Sequence, residues 1–330
     1  MNKKNLFKLV LVGLGNNASK TLKKLNKDTK IQVVYCIPRI SLSNNGWFDK
    51  GILADTSKKL GINIIKKKNL NDPNFVKLIA SSNIDLIINI GHAQLFNLDL
   101  INSSTFGILN YHPGLLPGAR GSGAVVGELM NGQNLFGRTC HLVNEKFDLG
   151  SVINQEKFRI SNNATMSQVF GILEKNVDEF IFKSAKKVLS QYKIKSSQKI
   201  KKFGRYYPKF EPGDEYIDWN DATKNIYDRI RSRLQERYAI TYIKKDLKKI
   251  LIAKAEIPKK FENYKSVNGQ VIDVSKKGIL VKTQDSAIWI RQIFDQKKKM
   301  LVIPNFKIGT CFQTINIADF IKNIINLKKK

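Results

Sequence analysis

The 330 residues include only three cysteines and three histidines. Cys36, Cys140 and Cys311 are too few and too widely spaced for a disulfide framework or a Cys-rich zinc site, and they suit a reducing cytosol. His92, His112 and His141 leave little material for a histidine metal centre, so no metal is predicted. Long apolar runs are lacking too. The densest, 84–90, is broken by Asp85 and Asn89 and falls far short of a bilayer span. The start imitates a signal peptide, with Lys3 and Lys4 ahead of an apolar stretch. Lys8 interrupts that stretch and no small-x-small cleavage site follows, so a buried first strand is expected. Together these absences predict a cytoplasmic protein with no membrane partner.

Acidic residues are scarce as well. Asp+Glu number 27 against 57 Lys+Arg, a net charge of +30. Such a field attracts polyanions such as RNA or anionic lipid. A second reading stands beside it: arginine is a small minority of those cations, and a chain crowded with Lys, Asn and Ile is what AT-rich coding supplies. The excess avoids 101–150, where Arg120, Arg138 and Lys146 balance Glu128, Glu145 and Asp148. Hydrophobic residues at 42% and charged residues at 25% are ordinary for a globular chain, and the length suggests about two domains.

Apolar runs at 6–12, 31–36, 62–65, 84–90 and 107–111 read as buried strands. Helical patterns at 19–25, 48–60 and 73–80 separate them, the last capped by Asp72. This alternation predicts an α/β fold, a doubly wound, mostly parallel Rossmann-like sheet whose ligands sit at the carboxyl ends of strands. A helix over 121–130 and strands over 138–143 and 151–160 follow. Thr165 and Gln168 form a capping box opening one long helix to about Tyr192. A Lys/Ser/Gln stretch over 193–202 reads as a linker, giving domains at 1–195 and 205–330. In the second, Asp221 is expected to cap a helix to about Arg237. Short strands at 239–243, 250–255, 269–274, 278–283 and 287–292 predict a small OB-like β-barrel.

Gly13-Leu14-Gly15-Asn16-Asn17-Ala18 matches a dinucleotide fingerprint weakly. The second strand ends in Pro38-Arg39 rather than an acid, which keeps an NADP reading beside that of a plain strand-to-helix turn. A sharper pattern runs from Asn110 through Tyr111, His112, Pro113, Gly114, Leu115, Leu116, Pro117, Gly118 and Ala119 to Arg120 and Gly121. Asn110 and His112, two apart on a strand, share a face. Phe147-Asp148-Leu149-Gly150 then places an acid in a loop between strands. An amide donor, an imidazole and a carboxylate suit acyl transfer to an amine: donors for the developing oxyanion and a base for the ammonium proton.

This segment resembles the 10-formyltetrahydrofolate-dependent formyltransferase family, whose signature is Asn-x-His-Pro-x-Leu-Leu-Pro, then Arg-Gly or Lys-Gly, with an Asp-x-Gly downstream. Asn131-Gly132, Gly137 and Thr139 bridge the two parts as in the family, and Ile87 to Leu95 resembles the stretch before the signature. Tyr216-Ile217-Asp218-Trp219 and Arg229-Ile230-Arg231 resemble the start of the second domain shared by methionyl-tRNA and aminoarabinose-type sugar formyltransferases. The resemblance implies that Asn110 and His112 polarise the formyl carbonyl of 10-formyltetrahydrofolate. It implies that Asp148 orients His112 and takes the amine proton. It also implies a folate pocket from Gly91, His92, Ala93, Gln94 and Leu95 and from His141, Val143 and Asn144, and acceptor contacts from Leu115, Leu116, Pro117, Arg120 and Gly121.

The acceptor follows from departures within the resemblance. The segment 40–47 has no basic residue where methionyl-tRNA enzymes carry a basic insertion. Trp47 or Phe48 is placed to stack on a nucleotide base, with core packing as the plain alternative. Against this, Arg229, Arg231, Arg233 and Arg237 crowd one predicted helix, a stripe suited to tRNA phosphates or to solvent. The expected partner is a small-molecule amine, a nucleotide-linked aminosugar, with tRNA as the alternative. A monomer or a homodimer is expected.

Overall fold

The structure, a computed structural model, describes residues 6–39, 52–190, 204–233 and 237–313. Two compact units form. One is drawn from Met1–Val125, Leu135–Arg159 and Phe170–Lys209, the other from Val126–Asn134, Ile160–Val169 and Phe210–Lys330.

The first half of the chain runs β1 (Phe7–Gly13), α1 (Gly15–Leu25), β2 (Ile31–Pro38), α2 (Ile52–Lys59), β3 (Asn63–Ile64), α3 (Pro73–Ser81), β4 (Leu86–Ile90), α4 (Leu98–Asn102) and β5 (Ile108–His112). Then come β6 (Ala119–Arg120), α5 (Ala124–Met130), β7 (Leu135–Leu142), β8 (Val152–Arg159), α6 (Met166–Glu174), α7 (Val177–Ser190) and β9 (Arg205–Tyr206). Seven strands make one sheet in the order β3-β2-β1-β4-β5-β7-β8, parallel through β5 and antiparallel from β5 to β8.

The apolar runs form strands because both faces are covered. Along β1, Leu9 and Leu11 pack with α1 and α7, whereas Val10 and Val12 pack with Phe75 and Ile79 of α3. Each such side chain contributes about 1.5–3 kcal/mol when fully buried. Toward the carboxyl ends of β4 and β5 the α3-facing positions turn polar. Ile87 gives way to Asn89, and Ile108 to Asn110 and then His112. That switch on one face creates the site.

The expected single helix over 165–192 is two helices. Asn176 sits at φ 51°, a left-handed conformation that asparagine tolerates, and it breaks the run between α6 and α7. The capping box is present, with Thr165 N–H donating to Gln168 Oε1 at 2.8 Å. The expected linker over 193–202, and Trp47 and Phe48, lie outside the described residues. Residues 205–209, expected at the start of the second domain, pack in the first unit because β9 pairs with β6.

The second unit holds α8 (Thr223–Arg231), β10 (Ala239–Ile243), β11 (Lys249–Glu256), β12 (Val271–Ser275), β13 (Gly278–Lys282), β14 (Ala287–Asp295), β15 (Met300–Val302) and β16 (Phe312–Gln313). The antiparallel order is β12-β13-β14-β11-β10-β16, with β15 on β14. The sheet curls until its ends meet: Val271 N–H donates to Thr310 O and Phe312 N–H to Gly269 O, both at 2.8 Å. Ile217 and Trp219 anchor this core, with Trp219 stacked on Phe312 and its indole N–H on Thr241 Oγ1 at 2.9 Å. Helix α8 is shorter than expected and begins at Ala222 rather than at an Asp221 cap. Its first N–H is met from far along the chain, by Asp285 Oδ1 at 2.8 Å.

Candidate active site

Asn89, Asn110 and His141 are register partners on β4, β5 and β7. Side chains in register on adjacent strands meet. Here Asn89 Nδ2 donates to Asn110 Oδ1 at 2.8 Å, and Asn110 Nδ2 lies 2.9 Å from His141 Nε2. His112 is 6% exposed, and its Nε2 is 2.7 Å from Ala119 O. A carbonyl only accepts, so Nε2 carries the hydrogen. In the neutral ring Nδ1 is then the free base, and it faces Asp148 Oδ1 at 3.7 Å. Burial pushes the His112 pKa down. The charge of Asp148 and the Ala119 bond push back without restoring it. The resting ring is therefore neutral at pH 7, with its lone pair toward the carboxylate.

Asp148 is brought in by an irregular loop and sits at φ 54°. Its Oδ2 accepts the Gly121 N–H at 2.7 Å, while Oδ1 lies 3.5 Å from His141 Nε2. Burial pushes its carboxyl up. The nearby His141 and His112 rings and the Gly121 N–H outweigh burial. They hold it well below the usual carboxylate range. Asp148 Oδ1 thus lies near both the His112 and the His141 ring, and Asn110 is joined to this group through His141 Nε2.

The loop between His112 and Arg120 is pinned from below. Thr139 Oγ1 donates to Gly114 O at 2.6 Å and Gln155 Nε2 to Leu116 O at 2.9 Å. Leu116 is buried, and Leu115 lies against Gly137, where any side chain would meet its Cδ2 at 2.2 Å. These leucines pack the loop in place. Gly118 and Arg120, between Pro117 and Gly121, are held by β9 and the residues flanking it: Arg205 N–H donates to Gly118 O at 3.1 Å, Tyr207 N–H to Arg120 O at 2.8 Å, and Arg120 Nη2 to Gly204 O at 3.1 Å. Sequence reasoning missed this strap, because a two-residue strand carries no periodicity. It also missed Asn89, whose only signal is an amide inside an apolar strand.

Gly91, at φ 88°, turns the chain out of β4, and Arg39 Nη1 holds its carbonyl at 2.8 Å. Asn71 Nδ2 ties Leu95 O at 2.9 Å, and Gln94 is drawn back to Leu70 and Asn69. Ala93 and Leu95 stay exposed. His92 Nδ1 is buried without a hydrogen-bond partner, and burial and the Arg39 charge push its pKa down to about 4. Val143 N–H joins Ile108 O at 2.9 Å, and Asn144 shapes the next loop through Leu149 O at 3.0 Å. Among the described residues no three His, Cys, Asp or Glu side chains are grouped to hold a metal ion, and no helix is long and apolar enough to cross a membrane.

The chain matches the formyl transferase family over residues 8–181 and the formyl transferase C-terminal domain over 209–310. Methionyl-tRNA formyltransferase of Clostridium tetani is 25% identical over 299 residues, covering 90% of this chain and 95% of that protein. The crystal structure of WlaRD, a sugar 3N-formyl transferase with dTDP and 5-N-formyl-THF, superposes with a TM-score of 0.65 at 18% identity. It covers 87% of this chain and 97% of its own. An N-formyltransferase of Helicobacter canadensis, in complex with folinic acid and dTDP-3-aminofucose, gives 0.63 at 16%, over 87% and 99%. These likenesses establish the fold, and the dinucleotide reading of the Gly13–Gly15 turn gives way to it. The family match takes in more than half of the chain: the protein is an enzyme of formyl transfer and belongs to the formyl transferase family.

Proposed function

We propose that the chain takes a formyl group from 10-formyltetrahydrofolate and delivers it to the primary amine of a nucleotide-linked aminosugar. The buried, unpartnered His92 Nδ1, beside the exposed residues Ala93 and Leu95, fits a pterin ring, which offers hydrogen-bonding edges. The folate, when bound, supplies the electrophilic formyl carbon. Asn110 Nδ2 spends one hydrogen on His141 and keeps a second for the formyl oxygen. A preorganised donor of this kind is worth ~10²–10³ in rate. His112, with its Nε2 hydrogen on Ala119 O, serves as base rather than as a second oxyanion donor. The ammonium proton passes to Nδ1, where Asp148 stabilises the resulting imidazolium, and His112 can return it to N10 as the C–N10 bond breaks and tetrahydrofolate leaves. Arg120, Gly121 and Pro117 border the acceptor side.

The observation that carries the acceptor assignment is the fate of the arginines on α8 and just after it. Arg231 is buried, on Asp228 Oδ1 at 2.6 Å and Ala164 O at 2.7 Å. Arg229 and Arg233 both donate to Asp214 O. Arg231 is thereby withdrawn from a phosphate stripe, and Arg229 and Arg233 each have one donor engaged on Asp214 O, which favours a small acceptor over tRNA. Methionyl-tRNA remains the second reading on the strength of the full-length Clostridium tetani relative. Incubation with 10-formyltetrahydrofolate and either dTDP- and UDP-linked aminosugars or charged initiator methionyl-tRNA tests it. Formylated sugar nucleotide by mass spectrometry is expected; formylation of the tRNA alone overturns the acceptor assignment.

A further inference from the structure

The three amide and imidazole side chains in register form a line whose hydrogen-bond direction is fixed from one end. Asn89, 3% exposed, pairs with the backbone of His92: the His92 N–H donates to Asn89 Oδ1 at 3.2 Å, and Asn89 Nδ2 donates to His92 O at 3.1 Å. A backbone N–H only donates and a backbone carbonyl only accepts, so the oxygen and nitrogen of Asn89 cannot be exchanged. The second Nδ2 hydrogen of Asn89 then meets Asn110 Oδ1 at 2.8 Å. Asn110 must therefore turn its NH₂ away, toward His141 Nε2 at 2.9 Å. Nε2 accepts, so the ring hydrogen of neutral His141 lies on Nδ1, 3.0 Å from Leu142 O, where it donates. Every link agrees with the next, from one backbone peptide to another.

We infer that Asn89 is a positioning residue that holds Asn110 with its NH₂ toward the formyl oxygen and keeps His141 in the Nδ1–H tautomer. The inference rests on the reading of Asn110 as the formyl-oxygen donor. An Asn amide reversed by rotation fits the same space, so something must choose between two orientations that differ in chemistry alone. With the amide reversed, Asn110 presents an acceptor where the reaction needs a donor. Reversal also requires Nε2–H on His141, 3.5 Å from Asp148 Oδ1. That hydrogen would engage the carboxylate that His112 needs. Asn89 thus supports the donor and reserves Asp148 for His112.

The chain's three histidines make the test direct. Ring ¹⁵N spectra of the full-length protein, assigned with single histidine variants, read each tautomer without any turnover. In the wild type His141 should be protonated at Nδ1 and His112 at Nε2. Asn89→Asp keeps the shape and the acceptor for the His92 N–H but has no hydrogen for Asn110. It should reverse the Asn110 amide, move the His141 hydrogen to Nε2, and lower kcat by ~10²–10³, the cost of one oxyanion donor. The KM for the folate should stay within about twofold, because only a group acting on the reacting oxygen has changed. Asn89→Leu, which adds no charge and removes the direction, should lower kcat by about tenfold and leave both His141 tautomers populated. Wild-type His141 protonated at Nε2 overturns the inference, as does a kcat loss in Asn89→Asp with the His141 tautomer unmoved. If Asn110→Ala keeps wild-type kcat, the assignment of Asn110 itself fails, while the tautomer spectra still judge the orienting line on their own.

Discussion

Gly121→Ala strikes the Asp148 carboxylate, the proposed partner of His112, through the backbone. Gly121 sits at φ 91°, and a Cβ there would lie 2.2 Å from Tyr207 O. An ordinary contact needs ~3.0–3.2 Å, so either β9 or the Gly121 peptide must move by about 0.8–1 Å. The Gly121 N–H is the group that holds Asp148 Oδ2 at 2.7 Å. A shift of that size is enough to cost ~10² in rate when it misplaces a catalytic group. A second effect follows from ionisation. The N–H favours the carboxylate form, and a hydrogen bond to a charged group is worth about 1.5–3 kcal/mol. At about 1.4 kcal/mol per unit, its loss raises the proton affinity of the Asp148–His112 pair by up to about 1–2 units. The acid limb of kcat/KM therefore moves to higher pH. Gly204→Ala is the control. Its Cβ would lie 1.9 Å from Pro117 O, so it strains the same strap, but Gly204 makes no bond to Asp148. It should lower Tm and leave the acid limb in place. The assay is folate release followed by absorbance from pH 4.5 to 9. A Gly121→Ala enzyme with wild-type kcat and an unmoved acid limb would refute the reasoning.

His112→Ala removes the proposed base and should lower kcat by ~10²–10⁴ while far-UV circular dichroism stays native. Arg138 is buried, with Nε and Nη2 on Glu156 Oε2 and Nη1 on Leu173 O and Lys175 O. Arg138→Leu leaves those carbonyls unmet and should destabilise by about 3 kcal/mol in urea unfolding. His92 is held neutral in the fold, down to about pH 4 against an ordinary value of 6.5. Between those values the unfolded chain binds the extra proton, so stability should fall as pH drops from 6.5 toward 4. His92→Asn should flatten that part of a Tm-against-pH curve, and an unchanged curve would contradict the assignment.

Much of this was legible because it depends on patterns that a one-dimensional reading samples. Runs such as 84–90 had to be strands covered on both faces, and Asn110 and His112 two apart had to share one. The break at Asn176 was hidden because an asparagine inside an apolar helical period looks like one more turn. The cap on α8 was hidden because Asp285 is 62 residues away. The site divides the same way. Asn110, His112 and Asp148 stand out by spacing as candidates. Their division of labour does not, because it turns on where single hydrogens lie: Nε2 of His112 on Ala119 O, and Asn89 locked to the His92 peptide. Arg231 read as surface charge until Asp228 and Ala164 O closed around it. A sequence gives the sign of a side chain but not what already holds it.

The most direct test of the account compares formyl transfer by the wild type with that by Asn110→Ala and Asp148→Asn at saturating folate and acceptor, with folate affinity measured separately by equilibrium titration. Transfer should fall by ~10²–10³ or more in each variant while folate binding is retained. Wild-type transfer rates in either variant would contradict it.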